Sequence, residues 1–365
     1  MTPRVTRKTA GIFGAVLGLT AAGVAAGVAA ERYIVRRSRK GEDPYADEPF
    51  GDLPATEVAT VRTENGLDLR VEIIEAPNAV DDLTIVFVHG FCLDMGTFHF
   101  QRVGFTDEYR MVFYDQPGHG RSGRLKRGDY TFVDLATALA AVIDRAAPTG
   151  RIVLVGHSMG GMAIMAFAER YEQTFADRVV GVALISTSSG QLRQVTFGLP
   201  QVFAPFRGPI LPVVRTAGPV AAAVVDRARH ASTDLAWLLT RKYGFGERRP
   251  SSALVSYVER MNASTSLDVI ARYLHALNGH DGAVALERLR SVPVLVLCGD
   301  RDMVTPISHS ETIAAALPDA RFEVISGAGH VALLENAEEV NEIFGQFLRK
   351  VDDVAGGDEA GGGDL

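Results

Sequence analysis

A mostly parallel β-sheet covered by helices on both faces is the architecture this sequence predicts, and three observations predict it. Leu83–Val88, Arg110–Tyr114, Arg151–Val155, Val179–Ile185, Val294–Cys298 and Arg321–Ile325 are short apolar runs that lack the alternation of a half-exposed strand, the mark of strands buried on both faces. Helical patterns at roughly 131–147, 159–171, 308–317 and 336–350 lie between or after them, and alternating strand and helix argues for parallel pairing with covered faces. The long stretch 187–290 then breaks that rhythm. It is helix-rich and holds Trp237, the sole tryptophan, and reads as a helical cap inserted into the core.

In chain order, residues 1–40 come first. Residues 9–30, TAGIFGAVLGLTAAGVAAGVAA, carry no charge, with Arg4, Arg7 and Lys8 before them and Arg32, Arg36, Arg37, Arg39 and Lys40 after. Such a length can cross a hydrocarbon core about 30 Å thick. The expectation is a single span anchoring the protein to a bacterial-type membrane. A cleaved signal peptide is the first alternative, favoured by the small residues at 27–30, and a soluble helical extension the second. Five basic residues after the span against three before it lean towards a cytoplasmic catalytic domain, with secretion as the outcome if the segment is cleaved. Residues 41–54, acidic and Pro-rich, read as a linker. The core spans 55–186 and 291–350. It opens with a hairpin, because Val58–Thr63 and Leu67–Ile74 are strand-like and flank Asn65-Gly66, a favoured tight-turn pair. Residues 351–365 lack apolar periodicity and read as a disordered acidic tail.

Composition excludes several function classes. Hydrophobic residues make up 47% and charged residues 22%, an ordinary globular balance. Of the net charge of −7, only about −4 belongs to the core, because the positive first segment is offset by the linker and tail. Arg outnumbers Lys by 32 to 5, a genome-composition effect rather than a basic stripe, so nucleic acid is not an expected partner. Cys92 and Cys298 are the only cysteines and cannot build a disulfide framework. No metal-ligand spacing is present, and neither metal nor cofactor is expected.

The chemistry concentrates at strand ends. In RIVLVGHSMGG, residues 151–161, a strand breaks at Gly156, Ser158 sits between Gly156 and Gly160, and a helical run follows. That is G-x-S-x-G in the strand–turn–helix context of a nucleophile elbow. A serine hydroxyl needs a base to take its proton and a carboxylate to hold that base in the right tautomer. His330, on the glycine-rich loop Ser326–His330, supplies the base. Asp300 or Asp302, after the strand ending at Cys298, supplies the acid, in the order Ser, Asp, His. The Phe91 N–H, following His89-Gly90, and the Met159 N–H would form an oxyanion hole. His89, and the Asp115 and His119 of the loop DQPGHGRS, read as loop-fixing residues rather than as catalysts.

Taken together, HGF, DQPGHGRS, GHSMGG, GDRDMVTP and GAGH, in this order, resemble the α/β-hydrolase superfamily, over roughly residues 55–350 including the cap. The resemblance implies Ser158 as nucleophile, His330 as base, Asp302 rather than Asp300 as the acid, and Phe91 and Met159 as oxyanion donors. The resemblance does not give the substrate; the reading adopted is a cofactor-independent serine hydrolase acting on carboxylic esters. Carbon–carbon bond hydrolysis or acyl transfer on the same triad are alternatives, and a non-catalytic ligand-binding relative is a further one. Serine at 158 argues against relatives with a carboxylate nucleophile. The apolar passage 197–214, with Phe197, Phe203, Phe206 and Leu211, predicts a mostly apolar pocket for a small uncharged ester. The residues of that pocket that touch substrate, and the oligomeric state, are left open.

Overall fold

The computed structural model describes residues 42–78, 82–190 and 233–360, together with Val35 and Leu192. Eight strands form one sheet in the order β1-β2-β4-β3-β5-β6-β7-β8. They are β1 Glu57–Arg62, β2 Asp68–Ile74, β3 Leu83–Val88, β4 Arg110–Tyr114, β5 Arg151–His157, β6 Val179–Ile185, β7 Val294–Gly299 and β8 Arg321–Ile325. The first two form the expected hairpin, in register from Glu57 against Ile73 to Arg62 against Asp68. Gly66 supplies the positive φ of 79° in its turn, a region open to glycine without a Cβ penalty. Strand β2 also runs antiparallel to β4, and every later pairing is parallel.

The reason the apolar runs are continuous is visible in β3. Val86 and Val88 join a core cluster on one face, with helices α2 Phe132–Ala146 and α3 Met159–Arg170. Ile85 and Phe87 join the cluster on the other face. With both faces covered, every position of the strand is buried. Helix α2 begins at a reciprocal cap, in which Thr131 Oγ1 accepts from the Asp134 N–H at 3.1 Å and Asp134 accepts from the Thr131 N–H at 2.9 Å. Such caps contribute about 1 kcal/mol each. The sequence gives no apolar periodicity strong enough to announce α1 His99–Phe105 or α4 Glu172–Arg178, both of only seven residues.

Because β3 lies between β4 and β5, the chain reverses direction across the sheet at that strand. In parallel sheets a ligand crevice opens beyond the carboxyl ends of the strands at such a switch. Between β6 and β7 come α5 Thr233–Gly244, α6 Ser252–Ser264, α7 Leu267–Gly279 and α8 Ala283–Leu289. Trp237 is buried there with Phe245, Val255, Tyr257 and Met261. The passage 197–214 lies outside the described residues.

Three expectations are revised. Part of the linker, residues 42–54, is a packed strap: Asp43 accepts from Ser251 Oγ, Ser252 Oγ and the Ala253 N–H at 2.6–2.9 Å, and Phe50 stacks on Tyr257 at 4.5 Å. After α9 Ile307–Ala316 and the single turn α10 Ala332–Glu335, the last helix, α11, runs Ala337–Ala360. It thus continues through most of the stretch read as a disordered tail, because Val351 is buried beside Phe347 in the core. The membrane span, the membrane as a partner and the membrane-anchored localisation are corrected. Among the described residues no helix is long and apolar enough to cross a membrane, the longest, α11, being charged throughout its length. Residues 9–30 themselves lie outside the described residues.

Candidate active site

Strand β5 delivers Ser158 into the crevice through a backbone that only close packing sustains. Ser158 has φ 52° and ψ −118°, a conformation that costs a non-glycine residue about 1–3 kcal/mol. Three contacts hold it there. Its N–H donates to the Ile185 carbonyl at 2.9 Å, its own carbonyl accepts from Thr187 Oγ1 at 2.6 Å, and Gly161 N–H donates to the same carbonyl at 3.0 Å. The glycines are required by contact: a Cβ on Gly160 would overlap the Val88 carbonyl, and one on Gly156 would sit 2.5 Å from the Gly161 nitrogen. Helix α3 starts at Met159, so the Met159 N–H has no partner within the helix.

Two further loops converge on the same place. After β7, Asp302 is buried and accepts from the Val304 N–H at 2.8 Å and the Thr305 N–H at 2.9 Å. After β8, His330 Nδ1 donates to Asp302 Oδ2 at 2.8 Å. Burial alone would raise the Asp302 carboxyl, but the adjacent His330 and the two backbone N–H groups outweigh it and hold the group below its ordinary value. Thr305 Oγ1 lies 2.9 Å from both Asp302 Oδ2 and the Ser186 carbonyl, and its single proton serves one of them at a time. Asp300 is exposed and accepts from the Gly327 N–H at 2.7 Å. Of the two aspartates that the residues alone left open, Asp302 is the one in contact with His330.

Ser158, Met159, Phe91 and His330 line one cavity of about 300 Å³. With Nδ1 committed to Asp302, His330 keeps Nε2 for the cavity side. Phe91 is brought there by Gly90, whose own Cβ would lie 2.9 Å from His157 Nδ1 and 3.1 Å from Ser158 Cβ. The far wall comes from the inserted helices, through Leu239, Thr240, Tyr243, Val258, Asn262 and Leu277. Among the described residues the lining carries no Asp, Glu, Lys or Arg.

The residues read as loop-fixing are held as such. His89 Nδ1 donates to the Gly90 carbonyl at 2.8 Å and Nε2 accepts from the Gln116 N–H at 2.8 Å. Total burial, reinforced by the neighbouring His119, pushes its pKa far down, so it stays neutral and keeps both bonds. His119 is pushed down to about 4 by burial and donates Nδ1 to the Pro117 carbonyl at 3.0 Å. Asp115 accepts from the Met95 and Arg121 N–H groups at 3.0 and 2.7 Å, and burial beside Asp94 lifts it to about 7. One contributor escapes sequence reasoning. His157, between the elbow glycine and serine, donates from Nε2 to the His330 carbonyl at 2.9 Å, while burial pushes its pKa down to about 3. Only the position next to Ser158 could have flagged it.

Comparison with known proteins agrees with the fold. The family model for the alpha/beta hydrolase fold matches residues 84–337. A dihydrolipoyllysine-residue acetyltransferase component of the acetoin cleaving system from Pseudomonas putida is 30% identical over 274 residues, which are 73% of this chain and 63% of that longer protein. A non-heme haloperoxidase from Rhodococcus erythropolis is 28% identical over 274 residues, covering 72% of this chain and 91% of that one. Among solved structures, a thermophilic esterase from Thermogutta terrifontis superposes with a TM-score of 0.63 at 26% identity, over 81% of this chain and 99% of that one. With the family model covering well over half of its length, the chain belongs to the alpha/beta hydrolase family.

Proposed function

We propose that this protein is a serine hydrolase that cleaves small, uncharged carboxylic esters through an acyl-enzyme intermediate. The observation that carries the reading is the 2.8 Å bond from His330 Nδ1 to buried Asp302, in a loop that shares one cavity with the strained Ser158, lined by no charged side chain among the described residues. Ser158 Oγ attacks the ester carbonyl carbon while His330 Nε2 takes its proton. Asp302 holds the ring in the tautomer that leaves Nε2 free to accept, and stabilises the imidazolium that forms. The Phe91 and Met159 N–H groups receive the oxyanion. His330 passes its proton to the departing alkoxide, then draws a proton from water, whose oxygen attacks the acyl carbon; as the acyl carbon–Oγ bond breaks, His330 returns that proton to Ser158 Oγ and the acid is released.

The inserted helices act as the cap in this reading, and their apolar side chains set the acyl-chain limit. The acyl-transfer alternative gains weight from the similarity to the acetyltransferase component, and differs only in which nucleophile resolves the acyl-enzyme.

A fluorophosphonate probe should label the wild-type protein and not Ser158→Ala. Across p-nitrophenyl esters, kcat/KM should rise from acetate to medium chains and then fall. Absence of labelling, or equal labelling of Ser158→Ala, would defeat the assignment. Release of product accelerated by an added alcohol or thiol beyond the hydrolytic rate would favour acyl transfer.

A further inference from the structure

The cap-side loop and the loop of the proposed base are joined by a half-buried carboxylate that the chemistry above does not use. Glu335 ends α10, five residues after His330. Its Oε2 accepts from the Gly329 N–H at 2.7 Å and from the Gly246 N–H at 3.0 Å, and its Oε1 accepts from the Glu247 N–H at 2.7 Å. Two of these donors lie in the loop after α5, and one immediately precedes His330. Convergent backbone N–H groups on an ionised acceptor are among the stronger hydrogen bonds of a protein.

The surrounding packing depends on that spacing. The Val331 N–H donates to the Gly244 carbonyl at 3.0 Å, and Arg301 Nη1 donates to the Gly246 carbonyl at 3.2 Å. A Cβ on Gly246 would overlap the Gly327 carbonyl, and one on Gly329 would lie 2.5 Å from the Gly246 nitrogen. The two loops therefore meet backbone to backbone, bridged by the side chains of Glu335 and Arg301. Tyr243 and Gly244, at the edge of this seam, line the same cavity as His330.

We propose that Glu335 is a positioning residue whose carboxylate locks the His330 loop to the α5 end of the insertion, so that the proposed base and the substrate wall move as one body. The consequence for turnover rests on the hydrolase reading; the clamp itself does not. His330 is then held at three places: by His157 at its carbonyl, by Asp302 at Nδ1, and by Glu335 through the preceding N–H.

Glu335→Gln tests this with little change of shape. An amide keeps one acceptor oxygen and turns an NH₂ towards donors that need an acceptor. Amide hydrogen exchange should speed up in residues 244–248 and 327–331 by about tenfold or more, with the strands unchanged. Per fluorophosphonate-labelled serine, kcat should fall about 10- to 100-fold, the effect expected from displacing a catalytic group by about 1 Å, while KM stays within about threefold. Gly246→Ala opens the same seam from the opposite side and should give the same pattern, which keeps the test decisive should Glu335→Gln fold poorly. Glu339→Gln, exposed on the next helix, should change neither quantity. Wild-type exchange in both loops of Glu335→Gln overturns the clamp. Faster exchange with kcat per labelled serine unchanged reduces Glu335 to a structural staple and overturns the positioning role. Wild-type protein that neither labels nor hydrolyses defeats the hydrolase reading alone, because the exchange comparison needs no turnover.

Discussion

Replacing Asp302 by asparagine exchanges one carboxylate oxygen for an NH₂ at the atom next to His330, and the surrounding hydrogen bonds dictate the outcome. His330 Nδ1 lies 2.8 Å from Asp302 Oδ2, and the Val304 and Thr305 N–H groups occupy Oδ1. An asparagine keeps its oxygen on those two donors and presents NH₂ to Nδ1. Nδ1 must then accept, so the ring proton moves to Nε2 and the base can no longer take the serine proton. In a triad on an unrelated fold this tautomer reversal costs about 10⁴ in kcat, or about 5 kcal/mol at ~1.4 kcal/mol per tenfold. Stability should change by far less, about 1–2 kcal/mol, since two of the buried bonds survive. Asp300→Asn is the control: exposed, with a single bond to the Gly327 N–H, it should leave kcat within about threefold. The assay is ester hydrolysis normalised to folded protein by thermal melting and near-ultraviolet circular dichroism. An Asp302→Asn enzyme within about tenfold of wild type, or a larger loss for Asp300→Asn, would refute the reasoning.

Other consequences are as direct. Gly160→Ala places a methyl group on the Val88 carbonyl and should lower stability by about 3 kcal/mol or more; a wild-type denaturant midpoint would contradict the packing described. Asp115, raised to about 7 by burial and by Asp94, stays protonated in the folded chain after an unfolded chain has lost that proton. Between about pH 4 and 7 the folded state holds more protons, so this group makes stability fall as pH rises, by at most ~1.4 kcal/mol per unit. The melting temperature of Asp115→Asn relative to wild type should therefore climb across that window, and a flat difference would show Asp115 ionised in the fold. Asp302, held below its ordinary value, acts with the opposite sign: its contribution is present above the unfolded carboxyl value and is lost as pH falls through the lower folded one. His89→Ala leaves the buried Gln116 N–H without its acceptor and should cost about 1–3 kcal/mol; it should also lower kcat by loosening the Gly90–Phe91 turn.

The five central strands β3 to β7, the hairpin around Asn65-Gly66 and the longer helices of the core could be read from the chain, because each depends on local periodicity and turn chemistry, whereas β8, read as buried on both faces, is an edge strand that is only partly covered. The elbow around Ser158 was legible for the same reason: its glycines answer a steric demand within a few residues of the serine. Tertiary structure decided everything that depends on which distant atoms meet. Asp300 and Asp302 stand in the same short loop; the family resemblance points to Asp302, and the approach of the β8 loop is what brings His330 Nδ1 onto it. His157 and Glu335 gave no signal of their own, since their partners, the His330 carbonyl and the Gly246 and Glu247 N–H groups, are backbone atoms brought near by the sheet and the insertion. Strand and helix boundaries are written in the side chains of neighbouring residues. A hydrogen bond between backbone and a distant carboxylate is written in the fold alone, because every residue but proline carries the same N–H.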